Sequence, residues 1–295
     1  MSYPVRHIIC DLDNTLYDWV GFFVPSFYAM VERLTAILDC DKELLLDDLQ
    51  QTHRRYHDAE HAFAVLDTEI VRQRFKGWSR AAIAAELDPA FHAYNRMRLD
   101  TLRTYPDVHE TLRTVRDEGI TLIAHSEAKY HAIVDRLSRL DLFDYFDRVY
   151  CRERSASSHP QPETAKARIE GDQLDKIVEL QHHQRKPSPE VLLEICSREG
   201  ALPKQSAFVG DSMSKDMAMA KDANLYAIWA KYGANVSGEQ YKQLVRVSHW
   251  TSAEVMEEAR LRKKAERVRP DAVLNSFGEL LQVVSPTQPL GRATA

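Results

Sequence analysis

Asp11 and Asp13 stand one residue apart, directly after the apolar run Val5 to Cys10, and Asn14 and Thr15 follow at once. Desolvated carboxylates repel one another and resist ionising. A buried strand that ends in such a pair therefore needs a counter-charge, a use for the pair, or both. Three later stretches offer partners. Ser126 closes Leu-Ile-Ala-His-Ser; Lys186 lies in Arg-Lys-Pro-Ser-Pro, before a helix that Ser188 can cap and Pro189 can begin. Gly210-Asp211-Ser-Met-Ser-Lys-Asp216 puts Asp211 at a strand end and Asp216 in the first turn of the next helix. Carboxylates gathered at one sheet edge need a cation, and hard oxygen ligands favour Mg2+, which keeps coordination sites for water and phosphate oxygens. In that setting Asp11 can act as a carboxylate nucleophile toward phosphorus. Asp13 can protonate the leaving group and later activate water. Lys186 can screen the acids and hold phosphate as a point charge, and Ser126 with nearby backbone N–H groups can donate to phosphate oxygens.

Each stretch alone has an ordinary explanation. Acids often end strands, a serine there is usually a turn former, K-P-x-P can be only a loop into a helix, and G-D-S can be only a helix cap. Their joint occurrence, in this order and each at the end of a separate strand, carries the chemical reading.

The elements that must position them alternate. Short apolar runs at Val5–Cys10, Ile120–Ala124, Arg148–Cys151, Ala207–Val209, Leu225–Ala230 and Ala272–Leu274 read as buried strands. Amphipathic stretches lie between several of them, which predicts an α/β fold: a doubly wound, Rossmann-like parallel sheet with ligands outside the carboxyl ends of the strands. Residues 17–104 break the rhythm with helical periodicity alone, giving an all-helical subdomain that starts beside the acidic pair. The catalytic core is then 1–16 and 105–285. Residues 152–184, with a short helical pattern near Leu174–Leu180, and residues 237–269, with a charged helix, read as insertions that decorate the surface. The end of the chain, Ser285 onward, reads as a frayed tail, with 286–295 expected to be disordered.

Composition bounds the partners. In 295 residues the hydrophobic fraction is 44%, the charged fraction 28% and the formal charge −5, which suits a soluble globular protein and gives no footprint for nucleic acid. Cys10, Cys40, Cys151 and Cys196 show no metal or disulfide spacing and fit a reducing cytoplasm. Neither a signal peptide nor a membrane span is expected. The expected partner is a small phosphorylated metabolite, and the expected assembly a monomer or homodimer. Within the helical residues, Thr52 to His61 concentrates His53, Arg54, Arg55, Tyr56, His57 and His61. This run could contact an anionic or aromatic leaving group, though a solvated exterior face is the favoured reading. Trp19, Phe22, Phe23 and Phe27 read as packing within the helical layer.

Taken together, Asp11-Leu-Asp13-Asn-Thr15, Ser126, Lys186-Pro and Gly210-Asp211…Asp216 resemble the four motifs of the haloacid dehalogenase superfamily. The helical insert resembles the cap of its subclass with phosphoglycolate-phosphatase-like and nucleotidase-like enzymes. The resemblance implies that Asp11 is the nucleophile and Asp13 the general acid/base. It implies Mg2+ held by Asp11, the Asp13 backbone carbonyl and Asp211, with Thr15 and Asp216 in support and Ser126 and Lys186 on phosphate. The implied activity is hydrolysis of a small phosphate monoester through an aspartyl-phosphate. A phosphomutase shares all four motifs, and a 2-haloacid dehalogenase shares the fold, but dehalogenases of this kind lack the second acid and need no metal. A non-enzymatic binding protein that docks partners through its insertions is the alternative of another class. The interval from Ser126 to Lys186 is longer than the subclass pattern, which points to 152–184 as the added segment.

Overall fold

The computed structural model describes residues 2–154 and 171–287. Seven parallel strands form the main sheet, in the order β5-β4-β3-β2-β6-β7-β8. They are β2 (His7–Cys10), β3 (Thr121–Lys129), β4 (Arg148–Arg152), β5 (Ile177–Leu180), β6 (Ser206–Gly210), β7 (Tyr226–Ala230) and β8 (Ala272–Leu274). Alternate residues of the central strands serve opposite faces. Ile8, Cys10, Leu122, Ala124, Ala207 and Val209 join one apolar cluster, while Ile9, Ile123 and Phe208 join another. A sheet apolar on both faces must be covered on both. Helices α6 (Val108–Asp117) and α7 (Tyr130–Arg139) cover the first face; α8 (Pro189–Arg198) and the short α9 (Ala218–Asp222) cover the second. From β2 the chain builds β3 on one side and, later, β6 on the other. The resulting switch point lies at the carboxyl end of β2.

Between β2 and β3 the chain forms a helical layer: α1 (Trp19–Leu38), α2 (Lys42–Tyr56), α3 (Glu69–Arg74), α4 (Arg80–Glu86) and α5 (Asp88–Thr101). Asp18 caps α1 by accepting from the Gly21 N–H at 2.7 Å, and Asp41 caps α2 through the Glu43 and Leu44 N–H groups. Helix α1 is long and apolar enough to cross a bilayer, but its apolar residues are committed elsewhere. Phe22, Phe23, Phe27, Met30, Val31 and Leu34 are buried, and α5 packs along it. The aromatic run after Asp18 is thus packing, with Trp19 and Phe23 stacked at 5.3 Å.

Four expectations are corrected. Ile177–Leu180, read as part of a helical pattern, is the edge strand β5, because its β-branched residues find an open ladder on β4. Residues 155–170 of that segment lie outside the described residues. Val284–Pro286, where a frayed tail was expected to begin, forms β9 and pairs with β1 (Tyr3–Val5), and the Thr287 N–H bonds to the Val5 carbonyl at 3.0 Å; 288–295 lie outside the described residues. The 237–269 segment does more than decorate the surface. Its helix α10 (Gly238–Val247) packs on α1 and α2 and buries Leu244 and Val247, whereas α11 (Ser252–Ala265) is largely exposed. Finally, Thr52 and His53, in the run expected to face solvent, are buried.

His53 fastens the two segments. Its Nδ1 lies 2.6 Å from the Val247 carbonyl, which makes Nδ1 the protonated nitrogen, and Gln50 donates to the Val245 carbonyl at 3.1 Å. Burial pushes the His53 pKa down to about 4. As pH falls, the unfolded chain therefore takes its proton first, at about 6.5. The stability held by the neutral ring is complete above that value and is lost on the way down to about pH 4, on the order of 2–3 kcal/mol. Melting temperatures should consequently drop more steeply between about pH 6.5 and 4 in the wild type than in His53→Asn, whose amide can still donate to Val247. Parallel curves for the two proteins would remove His53 from this role.

Candidate active site

β2 hands over to Asp11 without leaving the sheet, since the Asp11 N–H bonds to the Val209 carbonyl at 2.8 Å. The register pairs Cys10 with Ala124 and with Val209, so Asp11 emerges between the ends of β3 and β6. The chain then turns sharply. Thr15 and Leu16 donate their N–H groups to the Leu12 carbonyl, and Asn14 takes a left-handed φ of 58°, which asparagine tolerates well. A Cβ on Gly233 would lie 1.7 Å from the Asn14 carbonyl oxygen, so only glycine lets that neighbouring loop support the turn. The Thr15 hydroxyl donates to one Asp11 oxygen at 3.1 Å, and Tyr232 holds the Thr15 carbonyl at 2.6 Å.

The other Asp11 oxygen is paired with the Lys186 ammonium, which also meets Asp216 at 2.8 Å; all three side chains are buried. Lys186 arrives from the loop after β5, and Asp216 from the turn after β6. The Ser212 N–H donates to Asp216 at 2.9 Å, and a Cβ on Gly210 would lie 2.5 Å from the Asp216 carboxyl, so this glycine is also required. The Trp229 indole N–H fixes the Asp211 carbonyl at 2.8 Å. Oxygens of Asp11, Asp211 and Asp216 can all lie within 4.8 Å of one another. Three clustered carboxylates thus face one ammonium. Burial raises the Asp11 pKa to about 7; Lys186 pulls it down while Asp216 and Asp13 push it up. Burial likewise raises Asp211 well above the usual carboxylate range, followed by repulsion from Asp216 and Asp11. Burial works against the charge on Lys186, but Asp11 and Asp216 outweigh it and raise its pKa. The cluster has more negative charge to offset than Lys186 supplies, and its hard oxygens suit a divalent cation.

Asp13 faces another way. Its carboxylate is paired with the Arg136 guanidinium, and the other arm of Arg136 is paired with Glu60 from the loop after α2. Arg136 is only 2% exposed and lies over the rings of Tyr17 and Phe22, at 5.8 and 5.5 Å. It therefore joins the acid after β2 to the helical layer. Neither Arg136 nor Glu60 stood out in the motif reading. The available signal was an arginine at the i+3 position from Ile133 on the apolar stripe of α7, where a cation needs buried acids.

Ser126 is buried in β3, which runs on to Lys129 through a register shift, and its hydroxyl oxygen accepts from the Ala128 N–H at 3.1 Å. The hydroxyl proton stays available for another acceptor. The next residue, Glu127, accepts from the Lys186 N–H at 3.1 Å and ties β3 to the lysine loop. The basic run of α2 is not gathered here. Arg54 donates to the Trp250 carbonyl, Arg55 to Thr52 and the Asp67 carbonyl, and Tyr56 to Asp67.

The description "haloacid dehalogenase-like hydrolase" matches residues 5–224, and a second, HAD-hydrolase-like description matches 183–280. A phosphoglycolate phosphatase of Pseudomonas putida is 27% identical over 237 residues, 78% of this chain and 71% of that protein. A glyceraldehyde 3-phosphate phosphatase of Methanopyrus kandleri is 25% identical over 78% of this chain and 85% of its own length. Among solved structures, a 2-haloacid dehalogenase from Pseudomonas syringae pv. tomato superposes with a TM-score of 0.56 at 19% identity, covering 94% of this chain and 97% of that one. A HAD phosphatase from Thermococcus onnurineus gives 0.53 at 18% identity with the same coverage. These superpositions establish a common fold.

Proposed function

The chain belongs to the haloacid dehalogenase-like hydrolases, and from that premise we propose that it is a Mg2+-dependent phosphatase of small phosphate monoesters, working through an aspartyl-phosphate on Asp11. The observation that carries this reading is the meeting of Asp11, Lys186, Asp211 and Asp216 at the carboxyl end of β2, with a second acid, Asp13, two residues on. Asp13 argues against a dehalogenase, since the resemblance implies that dehalogenases of this kind lack the second acid and need no metal. The relatives that act on phosphoglycolate and glyceraldehyde 3-phosphate support the same substrate class.

In this reading Asp11 is held for in-line attack by Thr15 on one oxygen and Lys186 on the other. Its free lone pair forms the O–P bond while the bond to the leaving oxygen breaks, and Asp13, protonated for this step on the oxygen not paired with Arg136, gives the leaving oxygen that proton. Asp13, now a carboxylate, takes a proton from water, which attacks the acyl phosphate, releases inorganic phosphate and restores Asp11. Lys186 and the Ser126 hydroxyl bind the equatorial oxygens, where charge persists through both steps. A divalent ion held by Asp11, Asp211 and the Asp13 carbonyl, with Asp216 in support, would supply the counter-charge that the cluster lacks. The helical layer serves as a cap over this edge, excluding bulk water and choosing the leaving group.

Chelation tests the reading directly. Turnover of a generic aryl phosphate should vanish after chelation and return with Mg2+. Because Asp11 must be ionised to hold the ion, the Mg2+-induced rise in Tm should also grow as pH increases through about 7. Undiminished turnover in metal-free buffer would overturn the proposal.

A further inference from the structure

Beside the catalytic cluster lies a cavity of about 70 Å3, between the end of β3, the helical layer and the segment after α10. Two walls of this cavity connect to the machinery already described. Glu127 follows Ser126 and accepts the Lys186 N–H, and Glu60 shares Arg136 with Asp13. The space therefore adjoins the place where the leaving group of a bound phosphate monoester must sit. It has room for a group of carboxylate or phosphate size.

Two of the three acids around it have a cation, Glu60 in Arg136 and Asp58 in Lys129 at 3.9 Å. Glu127 accepts the backbone N–H of Lys186, a hydrogen bond that brings no counter-charge. Arg152, at the end of β4 and register-paired with Lys129, is 9% exposed. Its guanidinium has no hydrogen bond or ion pair among the described residues, and its Nε is buried without a partner. An Nε–H buried without an acceptor is costly, and the planar fork it belongs to fits a two-oxygen anion. Trp19 and Trp250, which also line the cavity, are large apolar surfaces that would exclude water from such a pair.

We propose that Arg152 is a specificity-determining residue, and that the natural substrate is a small phosphate monoester whose leaving group carries a second oxyanion, a carboxylate or a second phosphate, which Arg152 receives in this cavity. The inference rests on the phosphatase reading above. It places the two negative ends of the substrate on separate cations, Lys186 and Arg152.

Steady-state kinetics with Mg2+ on three compounds tests it: 2-phosphoglycolate, ethyl phosphate of similar size without the second anion, and ethylene glycol bisphosphate. The wild type should favour one of the two doubly anionic compounds over ethyl phosphate by about 10–100-fold in kcat/KM, the usual worth of a charge-assisted hydrogen-bonded pair. Which one it favours identifies carboxylate or phosphate. Arg152→Gln should erase that preference mainly through KM while leaving ethyl phosphate within about 3-fold of wild type, and Arg152→Lys should restore part of it. Equal losses on all three compounds, or no preference in the wild type, would overturn the role of Arg152. A protein inert even toward a generic aryl phosphate would instead refute the phosphatase reading itself.

Discussion

Asp11→Asn should abolish turnover, by about 10⁴-fold or more, while leaving the fold as stable as before or more so. An amide has no anionic oxygen to attack phosphorus, so the first covalent step has no substitute. The stability side follows from the site. Asp11 is buried, Asp216 and Asp13 repel it, and its pKa of about 7 records the strain of ionising it there. A neutral amide of the same shape can still accept from Lys186 through its oxygen and donate through its NH2 to the Thr15 hydroxyl oxygen, and it removes one of the crowded charges. Measured without metal at about pH 8, the variant should therefore melt no lower than the wild type. The two readouts together separate chemistry from architecture. A variant that keeps more than a few per cent of wild-type turnover, or an acid-quenched wild-type reaction whose phosphate label maps to another residue, would end the assignment.

Arg136→Met should be the most damaging change outside the acid cluster. It leaves Asp13 and Glu60, both partly exposed, facing each other with no cation between them, and the loss of a buried guanidinium shared by two such acids costs about 2–3 kcal/mol, below the value for a fully buried pair. Adding Glu60→Gln should recover part of that loss, since it removes one of the two orphaned charges. Turnover carries a second signature. If Arg136 aims the Asp13 carboxylate, the double variant should lose far more activity on alkyl phosphates than on aryl phosphates, whose leaving groups depart with little help from an acid. An Arg136→Lys variant, which keeps the charge but not the two-armed geometry, should fall between. Equal losses on both substrate types would leave Arg136 with a purely structural part.

The legibility of the molecule follows the range of its interactions. Strands such as Ile8–Cys10 and Ala207–Val209 were readable because a strand buried on both faces writes an apolar run, whereas Val5, read as part of the first of them, belongs to a separate strand, Tyr3–Val5. Asp11, Asp13 and Asp211 stood out because each closely follows such a run, and Lys186 through its Lys-Pro-Ser-Pro sequence, because the strand before it was not read. The edge strand Ile177–Leu180 was not readable, since half its surroundings are solvent and its short pattern suits either period. Nor was Val284–Pro286, whose strand exists only because the first strand of the chain waits beside it. The link from Arg136 reaches back 123 residues to Asp13 and 76 to Glu60, and no local pattern encodes such distances. His53 misled for a related reason. A basic run looks solvated until a helix from the far end of the chain, here Gly238–Val247, covers it.

The place of the helical layer, between the first and second strands of the main sheet, also dictates an order of birth. When His7–Cys10 leaves the ribosome, neither of its sheet neighbours, Thr121–Lys129 nor Ser206–Gly210, has been made. Helices Trp19–Leu38 and Asp88–Thr101, by contrast, both lie within the first 101 residues and pack on each other more extensively than any other two described elements. Local helical contacts form fast and distant parallel pairing forms slowly. Much of the helical layer can therefore assemble while the strand that ends at Asp11 is still unpaired, and Lys186, Asp211 and Asp216 reach Asp11 only as the last third of the chain is translated. A nascent chain stalled in between displays packed helices, still without Gly238–Val247, beside an Asp11 that has no lysine to balance it.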